Sequence, residues 1–141
     1  VAYKPADATD VETFGLHNPT EASSSDANHA VSMANDGDPA TWWTPAAGDA
    51  HPWIVIDPER VLIYRRLSVR FAPAGRCDVA AETQGIDGVW QALGTAAGTA
   101  DQLAFVTSAA TGRRLRLNFT SPPGGSCGVA EIGISGTLDK R

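Results

Sequence analysis

Strict two-residue alternation in two separate stretches constrains this chain more than any other feature. Leu67, Val69 and Phe71 alternate with Arg66, Ser68 and Arg70, and Leu115, Leu117 and Phe119 alternate with Arg114, Arg116 and Asn118. A period of two puts each apolar set on one face of an extended strand and each polar set on the other. A third run, Trp53-Ile54-Val55-Ile56, is continuously apolar between Pro52 and Pro58, as a strand buried on both faces would be. Val79 to Thr83 and Trp90 to Leu93 flank Gln84-Gly85-Ile86-Asp87-Gly88, a hairpin signal because Asp-Gly accepts positive φ. Gly128 to Gly136 supplies a last strand, with Val129, Ile132 and Ile134 as its apolar positions. No amphipathic helix longer than two turns is visible, and Ala30 to Asn35 suits a single turn. Residues 1–17 read as a lead-in segment in which Tyr3, Val11, Phe14 and Leu16 cover one sheet. Many short strands with turn signals at regular spacing predict one all-β domain over residues 1–141, an antiparallel sandwich or jelly roll.

Composition narrows the partners. The 141 residues carry a formal net charge of -5, whereas phosphate binding needs a clustered basic surface, so nucleic acid is not expected. No apolar run is long enough to cross a bilayer, which predicts a soluble piece. Val1 suggests a processed protein or an excised domain, with any targeting signal outside it. The 2 cysteines are too few for a disulfide scaffold and lack zinc-site spacing, leaving one disulfide or two buried thiols.

The segment richest in chemistry is Asn35-Asp36-Gly37-Asp38-Pro39-Ala40-Thr41-Trp42-Trp43. Two carboxylates bracket a glycine that permits a tight turn, and a hydroxyl follows. Calcium takes six to eight hard oxygen ligands, which such a turn can supply from side chains and carbonyls. A surface Asx turn is the competing reading.

These residues also carry a resemblance. Ala22-Ser23-Ser24-Ser25, then Asp36-Gly37-Asp38 with Thr41 and Trp43, then Trp53-Ile54-Val55-Ile56-Asp57 resemble the opening of discoidin, or coagulation-factor C-type, domains. Ile86-Asp87-Gly88-Val89-Trp90, Arg114-Leu115-Arg116-Leu117 and Val129-Ala130-Glu131-Ile132-Gly133-Ile134 continue it in the family's order, over about residues 18–136. Within that superfamily the chain is most similar to family 32 carbohydrate-binding modules, which are appended to bacterial glycoside hydrolases. The resemblance implies a galactose-binding-like jelly-roll β-sandwich of two antiparallel sheets. It also implies a structural calcium ion (Ca2+). Asp36 and Glu131 would give carboxylate oxygens, Thr41 its hydroxyl and carbonyl, and Met33, Asp38 and Ala130 backbone carbonyls. Such a site is architectural and ties the first loop to the last strand.

For a glycan ligand, Trp42 is the tryptophan expected to be partly exposed, while Trp43, Trp53 and Trp90 are expected in the core. His51 lies in the loop from Thr44 to Pro52, where it serves either a sugar hydroxyl or a loop-fixing hydrogen bond. Arg76 follows the Phe71 strand, in the loop from which galactose-binding members often present an arginine. Asn118 and Asp49 complete the candidate contacts. Where those members carry His after the core tryptophan this chain has Thr44, which argues against galactose as the ligand. The family topology starts the strands after Cys77 and Cys127 from the calcium end, so a disulfide between them would staple two loops there; two separate buried thiols are the alternative. If oxidised, the pair implies a secreted or extracytoplasmic home. Arg66, Arg70, Arg114 and Arg116 are expected to face outward on strands that could be neighbours, pairing with acids such as Glu59 and Glu82.

The function expected is a non-catalytic, monomeric module that binds a glycan and keeps an attached enzyme near it. A structural spacer and a phospholipid-binding adhesion domain are the alternatives. The loops Ala72-Pro73-Ala74-Gly75 and Pro122-Pro123-Gly124-Gly125 offer no bulky apolar tip, which disfavours membrane insertion. His17, His29, His51 and Ser23 to Ser25 are present, but no nucleophile elbow or metalloprotease helix accompanies them.

Overall fold

The alternating stretches form the centres of two facing antiparallel sheets. The computed structural model describes residues 14–72, 76–121 and 127–139. Its strands are β1 (Thr20–Ala22), β2 (Trp53–Ile56), β3 (Leu62–Phe71), β4 (Asp78–Gln84), β5 (Trp90–Ala96), β6 (Gln102–Val106), β7 (Thr111–Gly112), β8 (Arg114–Thr120) and β9 (Val129–Leu138). One sheet has the order β1-β2-β8-β4-β5. In the other, β3 pairs β6 and the short β7, and it also pairs β9. Strands distant in sequence thus lie side by side, as in the jelly roll that the resemblance implied. A single turn of 3-10 helix, Val31–Ala34, falls where one turn was expected.

Register carries the apolar sets inward together. Ile54 pairs Leu117 and Ile56 pairs Leu115 in the first sheet, while Leu67 pairs Ile134 and Val69 pairs Ile132 in the second. All eight side chains are buried, each worth about 1.5–3 kcal/mol in the transfer term. Trp43 closes this core from the loop before β2. It forms an isolated bridge with Val129, lies 5.8 Å from the Phe119 ring, and donates its indole N–H to the Ser24 carbonyl at 3.0 Å. Its fully buried donor is therefore satisfied. The β4–β5 hairpin turns at Gly88, φ +81°, as Asp-Gly predicted.

Two expectations need correction. Trp53 and Trp90 are not core residues: both are half-buried, and they lie on the outward face of the five-stranded sheet. The arginines of β3 and β8 are not sheet neighbours, since the two strands belong to opposite sheets. Arg116 pairs Glu82 and Arg114 pairs another acid, Glu21, in keeping with the pairing expected of these arginines. Of the lead-in residues, Phe14 packs against the core and Leu16, 39% exposed, lies beside Gly37. Tyr3 and Val11, like residues 73–75 and 122–126 of the two loops judged above, lie outside the described residues.

Candidate functional site

The Asp36 loop and the last strand meet at one end of the sandwich. Asn35 fixes the loop's entry: it is buried and donates through Nδ2 to the Gly15 and Asn18 carbonyls at 2.7 and 2.9 Å. Gly37 takes φ +78°, a conformation that suits glycine, and lets the chain fold back. Asp36 then accepts from the Asp38 amide at 3.0 Å and from the Thr41 hydroxyl at 2.5 Å. The Thr41 hydroxyl also reaches the Asp38 carbonyl at 3.1 Å.

Glu131 faces this loop from β9. The strand carries a bulge between its Glu131 and Val129 pairings with β3, so Ala130 falls out of register. Burial, together with the neighbouring Asp36 carboxyl, pushes the Glu131 carboxyl up to about 7 from 4.5. Its Oε1 is buried and has no hydrogen-bond partner among the described residues. Burial also opposes ionisation of Asp36, yet the Thr41 hydroxyl and Asp38 amide hold its carboxyl below the usual value. Two carboxylates pressed together, one with an orphaned oxygen, form a place where a cation relieves a cost. No three Asp, Glu, His or Cys side chains cluster as a metal site among the described residues. The remaining donors would be hydroxyl and carbonyl oxygens, a set that suits a hard cation such as calcium rather than zinc.

Beside this lies a second feature, a shallow groove of about 290 Å3 bordered by Asp26, residues 44–49, Pro52, Ser121 and Cys127. Its loop is held by Asp49. One Asp49 oxygen accepts from both the Ser23 and Ser24 hydroxyls at 2.6 Å, and the other accepts from the His51 amide at 3.1 Å. The serines pass the restraint on, since Ser24 Oγ accepts from the Ala46 amide and Ser23 Oγ from the Trp53 amide, each at 3.0 Å. Those two hydroxyls hold the Asp49 carboxyl below its usual range. Asp49→Ala is expected to speed hydrogen exchange at the Ala46 and Trp53 amides and to cost about 1 kcal/mol of stability. Unchanged exchange at both amides would show that the loop is held by other contacts.

Trp43 points into the core, so its neighbours Trp42 and Thr44 turn the other way, both half-buried. Trp42 lies against Gly128, next to the groove residue Cys127. The His29 ring stacks on it at 4.7 Å between centroids, and His29 Nδ1 lies 3.2 Å from the Trp42 carbonyl. The Thr44 amide donates to the His29 carbonyl at 3.2 Å. His29 is thus a candidate site residue that sequence reasoning missed; its only signal was an aromatic-compatible ring in the loop before Asp36. His51 is exposed on the groove loop. Arg76 is exposed and ion-paired to Asp101 at 2.9 Å. Asn118 is not in this groove: it lies on the outward face of the five-stranded sheet, donating to Glu82 at 2.8 Å. Cys77 and Cys127 form a disulfide, with Cα atoms 5.6 Å apart and a sequence separation of 50. It joins the start of β4 to the start of β9, and so one sheet to the other at the groove.

No protein-family model matches this sequence, and no curated protein does. Solved structures do. A variant of a chitosan-binding module from a chitosanase/glucanase of Paenibacillus sp. IK-5 superposes with a TM-score of 0.79 at 21% identity, over 89% of this chain and 98% of that one. The C-terminal domain of a chitobiase from Bacteroides fragilis gives 0.80 at 15% identity, over 92% and 100%. The family 32 carbohydrate-binding module of C. perfringens NanJ, solved with galactose, gives 0.76 at 14% identity, over 89% and 98%. At these identities the likeness is one of fold. The chain has the galactose-binding-like jelly-roll fold of family 32 carbohydrate-binding modules.

Proposed function

We propose that this chain is a non-catalytic carbohydrate-binding module that keeps a glycoside hydrolase, carried in the same polypeptide, close to its glycan. The observation that carries this reading is the extent of the likeness. The chain spans nearly the whole of units described as chitosan-binding or as bound to galactose, so the match is to a complete binding unit. The groove at the loop end supports it. An aromatic pair, His29 and Trp42, stands beside a loop whose polar groups are fixed, and sugars are recognised by C–H faces on rings and hydroxyls on held polar atoms. Such sites bind weakly, but tethering raises the effective concentration of glycan at the attached enzyme. In the same reading Asp36, Thr41 and Glu131, with carbonyls of Met33, Asp38 and Ala130, hold a structural calcium ion. The disulfide suits an extracytoplasmic compartment.

Affinity gel electrophoresis against chitosan, galactan and neutral β-glucans, with a glycan array, tests the proposal. Retardation by at least one glycan is expected, and Trp42→Ala should weaken it about tenfold with an unchanged circular dichroism spectrum. No binding to any glycan would overturn the reading in favour of a spacer. Binding to anionic vesicles alone would overturn it in favour of a membrane-surface domain.

A further inference from the structure

The outward face of the five-stranded sheet is built like a second binding surface. Trp53 on β2 stands opposite Asn118 on β8, Asn118 opposite Ala80 on β4, and Ala80 opposite Thr95 on β5, forming one row across the sheet. In the adjacent rows Arg116 donates to both oxygens of Glu82, at 2.9 and 3.2 Å, and its guanidinium lies 4.1 Å over the Trp90 ring. Asn118 Nδ2 donates to the same carboxylate at 2.8 Å. This fixes the carboxamide plane, and its oxygen accepts no hydrogen bond among the described residues. The small Ala80 leaves a hollow of about 320 Å3 between β4 and β5, and another of about 370 Å3 lies beside Val55 and Arg114 near β1.

Two properties of this face select its ligand. Its cations are all matched: Arg116 with Glu82, Arg114 with Glu21, and Arg113 with Asp57 at the sheet's end, while the remaining acid, Asp78, accepts from the Gly98 amide at 2.7 Å and leaves the face slightly negative. It therefore offers many hydrogen-bonding groups without a field that would favour phosphate, sulfate or an anionic glycan. The centre of the face is also the ion-paired cluster itself. A protein partner would have to strip water from it to build an apolar interface core, whereas sugar hydroxyls can replace that water bond for bond.

We propose that this face is a second glycan-binding surface, separate from the loop-end groove. It takes a neutral oligosaccharide laid across β2, β8 and β4, with Trp53 as the stacking ring and the Asn118 carboxamide as its fixed hydrogen-bonding group. The proposal rests on the carbohydrate-binding reading above but uses different residues, so the two can fail separately.

Indole N–H signals in two-dimensional NMR spectra of the whole chain, assigned by single Trp→Phe variants, test it. The probes are chitohexaose, cellohexaose and a galactan hexasaccharide, each beside its monosaccharide. The Trp53 and Trp90 signals are expected to move saturably with at least one hexasaccharide and not with the monosaccharides. Trp53→Ala and Asn118→Ala should each weaken that binding about tenfold. If Trp42 or the residue 44–49 amides respond while Trp53 and Trp90 stay still, the sheet-face proposal is overturned and the groove stands. If none respond, both are overturned. Movement of Trp53 and Trp90 on dilution without sugar would overturn it in favour of contact with a second copy. The unsubstituted chain decides these outcomes even if a variant fails to fold.

Discussion

Replacing the Cys77–Cys127 disulfide with a pair of alanines is expected to lower the unfolding free energy by about 4 kcal/mol and the melting temperature by on the order of 12 °C. The bond closes a loop with a sequence separation of 50. In the chain-entropy account, a cross-link of that span removes a large share of the conformations open to the unfolded chain. Both sulfurs are buried in the core, so the native state also loses packing when they go. The location makes the loss local as well as global. β4 and β9 belong to opposite sheets, and their starts meet at the groove; without the bond, the residue 44–49 loop loses its neighbour Cys127. Urea unfolding of the oxidised chain and of the double variant measures the difference. A change below about 1 kcal/mol would mean that the core and the Trp43–Val129 bridge already hold the sheets together, leaving the cross-link little to add.

How much of this was legible in the sequence depends on what each feature needs. Leu67, Val69, Leu115 and Leu117 were readable because alternation is a local property, and a strand's inward face follows from it. The partner of a strand is not local. Arg66 and Arg116 look alike along the chain, and only the topology sends them to opposite sides of the sandwich. Trp53 misled for a related reason. Val55 is only 5% exposed although it lies on the outward face, because Glu21 and Arg116 flank it in the register. A covered outward position makes the whole run read as buried on both faces, and Trp53 was swept into the core with it. The loop proposed to hold calcium was visible because Asp36, Gly37, Asp38 and Thr41 are close in sequence. Its counterpart Glu131 could be found only through the resemblance, and the Asp49 clamp on Ser23 and Ser24 gave no sequence signal.

The Asp36–Glu131 pair leads to the second large effect, a stability that responds to calcium and to pH in opposite senses. In the metal-free protein the Glu131 carboxyl is raised to about 7 from an ordinary 4.5, chiefly by burial and then by Asp36. A carboxyl that holds its proton more tightly when folded stabilises the fold below the lower value. That contribution is lost as pH rises through about 7, so the metal-free chain should weaken across the window between 4.5 and 7. Calcium bound as proposed would reverse the sense, since it would need Glu131 ionised and would give a partner to the buried Oε1, which has none among the described residues. At a free concentration near 100 times its dissociation constant, calcium should add about 2.7 kcal/mol above pH 7, and progressively less as acid restores the proton. Melting curves in calcium and in EDTA should therefore separate with rising pH and converge near pH 4.5. Glu131→Gln sharpens the test. It removes the buried charge, so in EDTA at pH 8 it should melt above the unsubstituted chain, yet gain nothing from calcium. Asp36→Ala should lose the calcium response as well. Coincident curves with and without calcium at pH 8 would sink the proposed ligand set, and Glu131 would then be a carboxyl raised by burial and by Asp36 with no metal to hold.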